Sequence, residues 1–404
     1  MNRQADLFLS VTHAYADGQP LDNAGMYAKA LNQAGIPLSD LNEKVPVGQS
    51  QKACSLLARQ LRWYQQTLKH AGIIERVENG IWQLTAPAGE DLSRVNPQVA
   101  VLGFSTDLGI AILGSCDTVF SRLDTPIHLV ITSPPYPLAR ARKYGNPTEP
   151  EYVDWICRTI EPVVKNLVPG GSICLNVSND IFMPGLPARS LYRERLIIAL
   201  HERLGLYKMD EIVWHNPSKA PAPVQWASKE RVQLNVAWEP VYWLTNDPSR
   251  VRSDNRRALQ EHTDKHLKYI QAGGETRLER YSDGAYSLRP GKFSNLTAGR
   301  IHRNVVAIGH SCADQRLYKH NARAAGLPVH GAAMPLKLAD FFIRLLSEPE
   351  ELVVDPFGGS FTTARAAESL GRRWISTDNM LEYVLGGALR FQDTHGFNQN
   401  LRAA

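Results

Sequence analysis

The chain has 404 residues, 43% hydrophobic and 21% charged, with a net charge of +5, the composition of a globular protein long enough for two or three domains. No apolar run approaches the ~18–20 residues of a membrane span, and the Met-Asn-Arg-Gln-Ala-Asp start lacks the apolar core of a secretory signal. The five cysteines (54, 116, 157, 174, 312) are scattered and form no Cys-x-x-Cys pair, which argues against a zinc or other metal site and for a reducing, cytoplasmic setting.

Residues 1–95 read as a small separate module. Gln51–His70 carries Leu56, Leu57, Leu61, Tyr64 and Leu68 at helical spacing and is closed by Gly72. Ile73–Leu84 follows as two alternating strands around Asn79-Gly80, a strong short hairpin signal. Helix plus hairpin resembles a winged helix-turn-helix, a fold often used on DNA. A protein-contact wing fits the same residues, because the helix is not strongly basic. Residues 86–91, with Pro87 and Gly89, read as a linker.

From Ala100 to about Thr245 strands and helices alternate in the α/β manner. The pattern predicts strands at Ile110–Leu113, His128–Thr132, Ser172–Val177, Asp210–His215 and Val236–Leu244. Helices are predicted at Asp117–Leu123, Glu151–Leu167 and Arg193–Leu204, the last closed by Gly205. The second strand ends abruptly in Ser133-Pro134-Pro135-Tyr136. Two consecutive prolines fix two φ angles, remove two N–H donors and hold Ser133 extended. The product is a stiff rim of hydrogen-bond acceptors beside an aromatic face. A planar group carrying an amine could stack on Tyr136 and donate to Ser133 and the Pro134 carbonyl.

Residues 246–325 lose this periodicity, apart from a helix predicted at Ala258–Tyr269. Between Arg250 and Arg303 there are 12 Lys/Arg against 6 Asp/Glu, so the net positive charge of the chain is concentrated here. Such a block suggests contact with a polyanion, with Arg252, Arg256, Arg257, Lys265 and Lys268 as candidates, although a solvated basic surface would look the same. Arg140, Arg142 and Lys143, between Leu138 and Pro150, form a second basic loop directly after the Pro-Pro turn.

Regularity returns with an amphipathic helix from Met334 to Phe342, Pro335 lying near its first turn. Residues 352–360 then read Leu-Val-Val-Asp355-Pro356-Phe357-Gly358-Gly359-Ser360, followed by a helix start containing Thr362 and Thr363. A further strand, Arg373–Asp378, ends in an acid. Strand, glycine turn, helix, strand and acid is the dinucleotide-type half-fold, in which the glycines admit a ligand to the backbone and the acid accepts ribose hydroxyls.

Taken together, Ser133–Tyr136 and Asp355–Thr363 resemble the catalytic turn and S-adenosylmethionine pocket of DNA methyltransferases that modify exocyclic amino groups. The catalytic element comes first, the cofactor strand last, and a basic segment lies between them. That order resembles the permuted β group, over roughly residues 100–245 and 326–390. The resemblance implies a Rossmann-like core of circularly permuted motif order, with its catalytic half at 96–245, a target-recognition insert at 246–325 and the cofactor half at 326–404. It further implies that Phe357 packs on the cofactor adenine, that the target base is flipped out of double-stranded DNA, and that the chain is a homodimer. A cognate restriction endonuclease is left open. Ser115 or Asp117, near the end of the Ile110–Leu113 strand, would contact the adenine where relatives have Gly-Asp. Phe361 stands where Gly is common in that family, a departure that could narrow the pocket without abolishing binding.

In that family Ser133 and the Pro134 carbonyl would accept the amine hydrogens, push the nitrogen toward sp³ and free its lone pair. Members with Ser at the first position mostly methylate cytosine N4, and those with Asp or Asn mostly adenine N6. The expectation is therefore N4-cytosine, with N6-adenine as the alternative. A catalytically silent DNA-binding regulator and an RNA methyltransferase are the other classes these residues leave open.

Overall fold

The computed structural model describes residues 10–11, 14–15, 19–47, 52–70, 74–84, 100–138 and 147–401. In the N-terminal part, the helix Asn23–Gln33 starts at Asp22, whose carboxylate accepts from Gly25 N at 2.7 Å. A hairpin of β1 (Val45–Val47) and β2 (Lys52–Cys54) precedes the helix Leu56–His70. That helix buries Leu61, Tyr64, Gln65 and Leu68, one face at i, i+3, i+4 and i+7 spacing. The expected hairpin forms from β3 (Ile74–Glu78) and β4 (Ile81–Leu84), with Gly80 at a φ of +82°.

The core is one ten-stranded sheet. Its strands are β5 (Ala100–Ser105), β6 (Gly109–Gly114), β7 (Ile127–Thr132), β8 (Leu167–Asn176), β9 (Tyr207–His215), β10 (Trp238–Thr245), β13 (Val305–Ala307), β14 (Leu352–Asp355), β15 (Arg373–Asp378) and β16 (Asn398–Gln399), in the spatial order β13-β9-β10-β8-β7-β14-β15-β6-β5-β16. The central strands β7, β8, β14 and β15 are parallel. All four residues of β14 and five of six in β7 are buried, because helices cover both faces and nothing favours alternation. β10 runs antiparallel to both β8 and β9, as the two strands at 210–215 and 236–244 led one to expect. The sheet does not end there, since β13 adds in parallel beyond β9.

β7 and β14 are 220 residues apart in sequence yet adjacent in the sheet, with Leu129 opposite Val353. This places the two motif-bearing strand ends side by side, as the permuted order requires.

Several elements differ from the sequence expectation. The insert helix is Asp264–Gln271 rather than Ala258–Tyr269. Ala258 belongs to a 3₁₀ turn, and the Thr263 hydroxyl caps the helix by accepting from His266 N at 3.3 Å. A hairpin of β11 (Glu279–Tyr281) and β12 (Tyr286–Leu288) follows, and Ala313–Ala324 is a helix inside the stretch read as irregular. β8 begins at Leu167, before the Gly-Gly pair. Gly170 has a φ of +78°, and a Cβ there would lie 1.8 Å from the Arg250 carbonyl oxygen. Glycine is needed because the insert backbone crosses the strand at that point.

Candidate active site

The catalytic and glycine turns share one seam. Thr132, last residue of β7, donates its hydroxyl to Asp355 Oδ1 at 2.8 Å, and Thr363 Oγ1 donates to the Ile131 carbonyl at 3.4 Å. On the other side of Ser133 is Asn176, the buried last residue of β8. Ser133 Oγ lies 2.8 Å from the Tyr136 hydroxyl and 3.3 Å from Asn176 Oδ1, and Tyr136 donates to the same amide oxygen at 3.0 Å. Asn176 Nδ2 donates to the Pro240 carbonyl at 3.2 Å, which fixes the amide orientation. With Tyr136 donating to Asn176, the Ser133 proton can point at Tyr136 or Asn176, which leaves lone pairs on Ser133 Oγ able to accept at the cavity it lines. Burial raises the Tyr136 phenol far above its ordinary range, and Glu239 raises it further, so this network is neutral. Among the described residues no donor reaches the Pro134 carbonyl, the second acceptor expected from the sequence.

A cavity of 590 Å³ opens beside this turn, large enough for a drug-sized ligand. Its walls include Ser133–Tyr136, Asp355–Ser360, Thr362, Thr363, Asp378, Ser115 and Asp117. All the residues expected to hold the cofactor therefore line one space. Asp117 is exposed, in the first turn of the short helix Cys116–Phe120, whereas Ser115 Oγ sits 3.0 Å from Thr118 Oγ1. Phe357 and Trp155 face each other with ring centroids 5.6 Å apart and supply aromatic walls.

The glycine turn is braced from beneath. Asp378 accepts from Gly359 N and Met380 N, each at 2.8 Å, and Gly358 N donates to the Thr377 carbonyl at 2.7 Å. The buried Arg390 donates to the Ser360 carbonyl at 2.6 Å and to Thr362 Oγ1 at 2.9 Å, while pairing with Asp314. Ser360 and Thr362 thus spend their hydroxyls largely inside the turn, 3.0 Å from each other.

Phe361 has a φ of +57°, the left-handed region where Gly is at ease. Its ring is fully buried against Phe104, at a centroid distance of 5.4 Å, and lies over Gly387, where a Cβ would sit 2.4 Å from the ring. The ring packs in the core and is not among the residues of the cavity wall, so it is not the ring that bounds the pocket.

Burial pushes Asp355 up to about 6 and Asp378 up to about 7, and the Asp355 charge adds to the rise of Asp378. Among the described residues neither carboxylate has a Lys or Arg partner. A cavity with aromatic walls, a glycine turn without side chains to block approach and two acids without a Lys or Arg partner suits a ligand that is planar at one end and cationic at the other. S-adenosylmethionine, with its adenine, sulfonium and ammonium, has that chemistry.

The expected DNA contacts divide. Arg140, Arg142 and Lys143 lie outside the described residues. Arg252 pairs with Glu351, and Arg257 pairs with Glu348 at 3.0 Å and donates to the Leu345 carbonyl, so both tie the insert to the core. Arg256 forks onto Asp254 but stays 82% exposed, and Lys265 and Lys268 are exposed on the insert helix. The sequence reading missed Asn176 and Arg390. A polar residue ending an apolar strand, and a lone cation after the apolar helix Leu381–Ala388, were the available signals.

A mixed sheet with the catalytic turn on β7, the glycine turn on β14 and one cavity between them defines an α/β methyltransferase core directed at an exocyclic amine. The DNA methylase family model matches residues 127–387, and the chain belongs to that family: it is an S-adenosylmethionine-dependent DNA methyltransferase. It is 35% identical over 294 residues to the type II methyltransferase M.PvuII of Proteus hauseri, covering 72% of this chain and 86% of that protein. Similarity to M.BglII of Bacillus subtilis is 27% over 272 residues, covering 66% of this chain and 65% of that protein. Among solved structures, the cytosine-N4-specific PvuII DNA methyltransferase matches with a TM-score of 0.57 at 32% identity, over 72% of this chain and 88% of that one. A second model, the Mrr N-terminal domain, matches residues 5–94.

Proposed function

We propose that this chain methylates the N4 amine of cytosine in double-stranded DNA. The observation that carries the reading is the Ser133 hydroxyl, held by Tyr136 and Asn176 where Ser133 lines the cofactor cavity. S-adenosylmethionine, when bound, supplies an electrophilic methyl group, held by Asp378, the Gly358-Gly359 backbone, Asp355 and the aromatic wall at Phe357. The protein's part is to orient the amine. Ser133 Oγ and the Pro134 carbonyl each accept one N–H, so the nitrogen lone pair is drawn out of conjugation and aimed at the cavity. Asn176 is an amide and cannot take up a proton. The network therefore positions Ser133, and the proton lost by the methylated amine leaves through Ser133 to solvent.

Serine at the first position, together with similarity to a cytosine-N4-specific enzyme, favours cytosine over adenine. The same reading divides the chain into an N-terminal module at 1–95, a catalytic half at 96–245, a recognition insert at 246–325 and a cofactor half at 326–404. The insert presents Lys265, Lys268, Arg256 and the exposed Tyr286 and Phe293 to the duplex. A homodimer and a cognate endonuclease rest on the family resemblance alone. Sequencing of modified bases in genomic DNA from cells with and without the gene tests the proposal. N4-methylcytosine in one recurrent context, present only with the gene, is expected; N6-methyladenine in that comparison would refute the choice of base.

A further inference from the structure

On the flank of Ser133 away from the cofactor cavity, the carboxyl ends of β8, β9 and β13 and the amino end of β10 lie together. A polar group not yet assigned a role sits there. Lys219 Nζ donates to Glu239 Oε1 at 2.6 Å, and the two side chains are only 20% and 18% exposed. Glu239 precedes Pro240, whose carbonyl accepts from Asn176, and Asn176 in turn holds both hydroxyls of the catalytic turn. Three hydrogen bonds and the Glu239–Pro240 peptide therefore connect Lys219 to Ser133. Asp180 lies within electrostatic range of the same pair, and among the described residues its buried Oδ1 has no partner. Half-buried His310, just after β13, is stacked on Trp214 and lies within electrostatic range of Lys219, Glu239 and Lys319.

An ammonium has three donors, and Glu239 takes one. Among the described residues the other two reach no acceptor. A half-enclosed cation pinned by a carboxylate therefore keeps two donors that a ligand can use.

We propose that Lys219, positioned by Glu239, reads the target base, donating to N3 and O2 of a flipped cytosine whose N4 amine lies at Ser133. This rests on the cytosine reading above and deepens it. Cytosine carries two acceptors in sequence from its amine, N3 and then O2. Adenine has N1 beside its amine but a C–H at the next position. A donor aimed at the O2 site therefore gains a partner from cytosine and is left facing carbon by adenine, the kind of polar mismatch that discriminates strongly.

The test uses the full-length protein, methyl-labelled S-adenosylmethionine, and genomic DNA from a host that lacks both modified bases. N4-methylcytosine and N6-methyladenine are quantified by mass spectrometry, and cofactor affinity is measured by calorimetry. Lys219→Met is expected to lower the N4-methylcytosine rate about 100-fold or more and to lower the ratio of methylcytosine to methyladenine, with cofactor affinity within about twofold. Lys219→Arg, which keeps charge and donors, is expected to recover part of the rate. Lys219→Met with a wild-type rate overturns the inference. So does loss of cofactor binding in both variants, since the pair would then only support the fold. N6-methyladenine from the unaltered protein is a separate outcome that overturns the cytosine reading before any substitution is made.

Discussion

Replacing Phe361 with Gly separates two effects that pull in opposite directions. The residue has a φ of +57°, a conformation that costs a side-chain-bearing residue about 1–2 kcal/mol and costs Gly nothing. Its ring, however, is fully buried beside Phe104, and removing such a ring costs about 3–5 kcal/mol. Gly also loses about 0.5–1 kcal/mol more backbone entropy on folding. The net is a destabilisation of about 2–4 kcal/mol, a fall in Tm of roughly 3–6 °C for a cooperative core of ~300 residues. Phe361→Ala keeps the strain and loses the ring, so it is expected to be about 1 kcal/mol less stable than Phe361→Gly. Differential scanning fluorimetry and calorimetric titration with S-adenosylmethionine read both consequences. Because the ring is not part of the cavity wall, cofactor affinity should stay within about twofold. A Phe361→Gly protein as stable as the parent, or one binding the cofactor tenfold more tightly, would show that the ring occupies the pocket.

Other outcomes follow from the same geometry. Ser133→Ala and Tyr136→Ala should each reduce methyl transfer about 10²-fold or more while leaving cofactor affinity near normal, and Asn176→Ala should do so through kcat with little change in KM for the cofactor; single-turnover kinetics that show full rates would refute the network. Asp355 and Asp378 hold their protons to about 6 and 7, longer than in the unfolded chain, so the cofactor-free protein loses stability as pH rises from about 4 through 7. A cationic cofactor reverses that cost: its affinity should rise between pH 6 and 8, and Asp378→Asn should flatten the upper part of the rise in a titration series. Gly170→Ala forces a Cβ onto the Arg250 carbonyl, so DNA methylation and about 3 kcal/mol of stability should be lost. Cofactor binding to the folded fraction should survive, as fluorescence titration would show.

How far the fold was legible from sequence depends on where each element's burial comes from. β7 and β14 are apolar on both faces and end in turns with restricted chemistry, so strand, turn and motif order could all be read locally. The helix Ala313–Ala324 could not, because its buried residues are Gln315, Tyr318 and Ala322, a weak apolar stripe that only the cofactor half completes. Arg252 and Arg257 read as free cations because their partners, Glu351 and Glu348, lie 99 and 91 residues away. Asn176 is equally silent in sequence: its role appears only when β10 sets Pro240 beside it and β7 sets Ser133 opposite. Whether Phe361 narrows the pocket could not be read, because sequence shows what replaces a glycine but not where its side chain turns.

The central claim is tested most directly by incubating the purified protein with duplex DNA and methyl-labelled S-adenosylmethionine, then identifying the labelled nucleoside by mass spectrometry. The expected product is N4-methylcytosine, absent when Ser133→Ala replaces the parent protein. Label on a ring carbon of cytosine, or undiminished labelling by Ser133→Ala, would contradict amine activation at the Ser-Pro-Pro-Tyr turn.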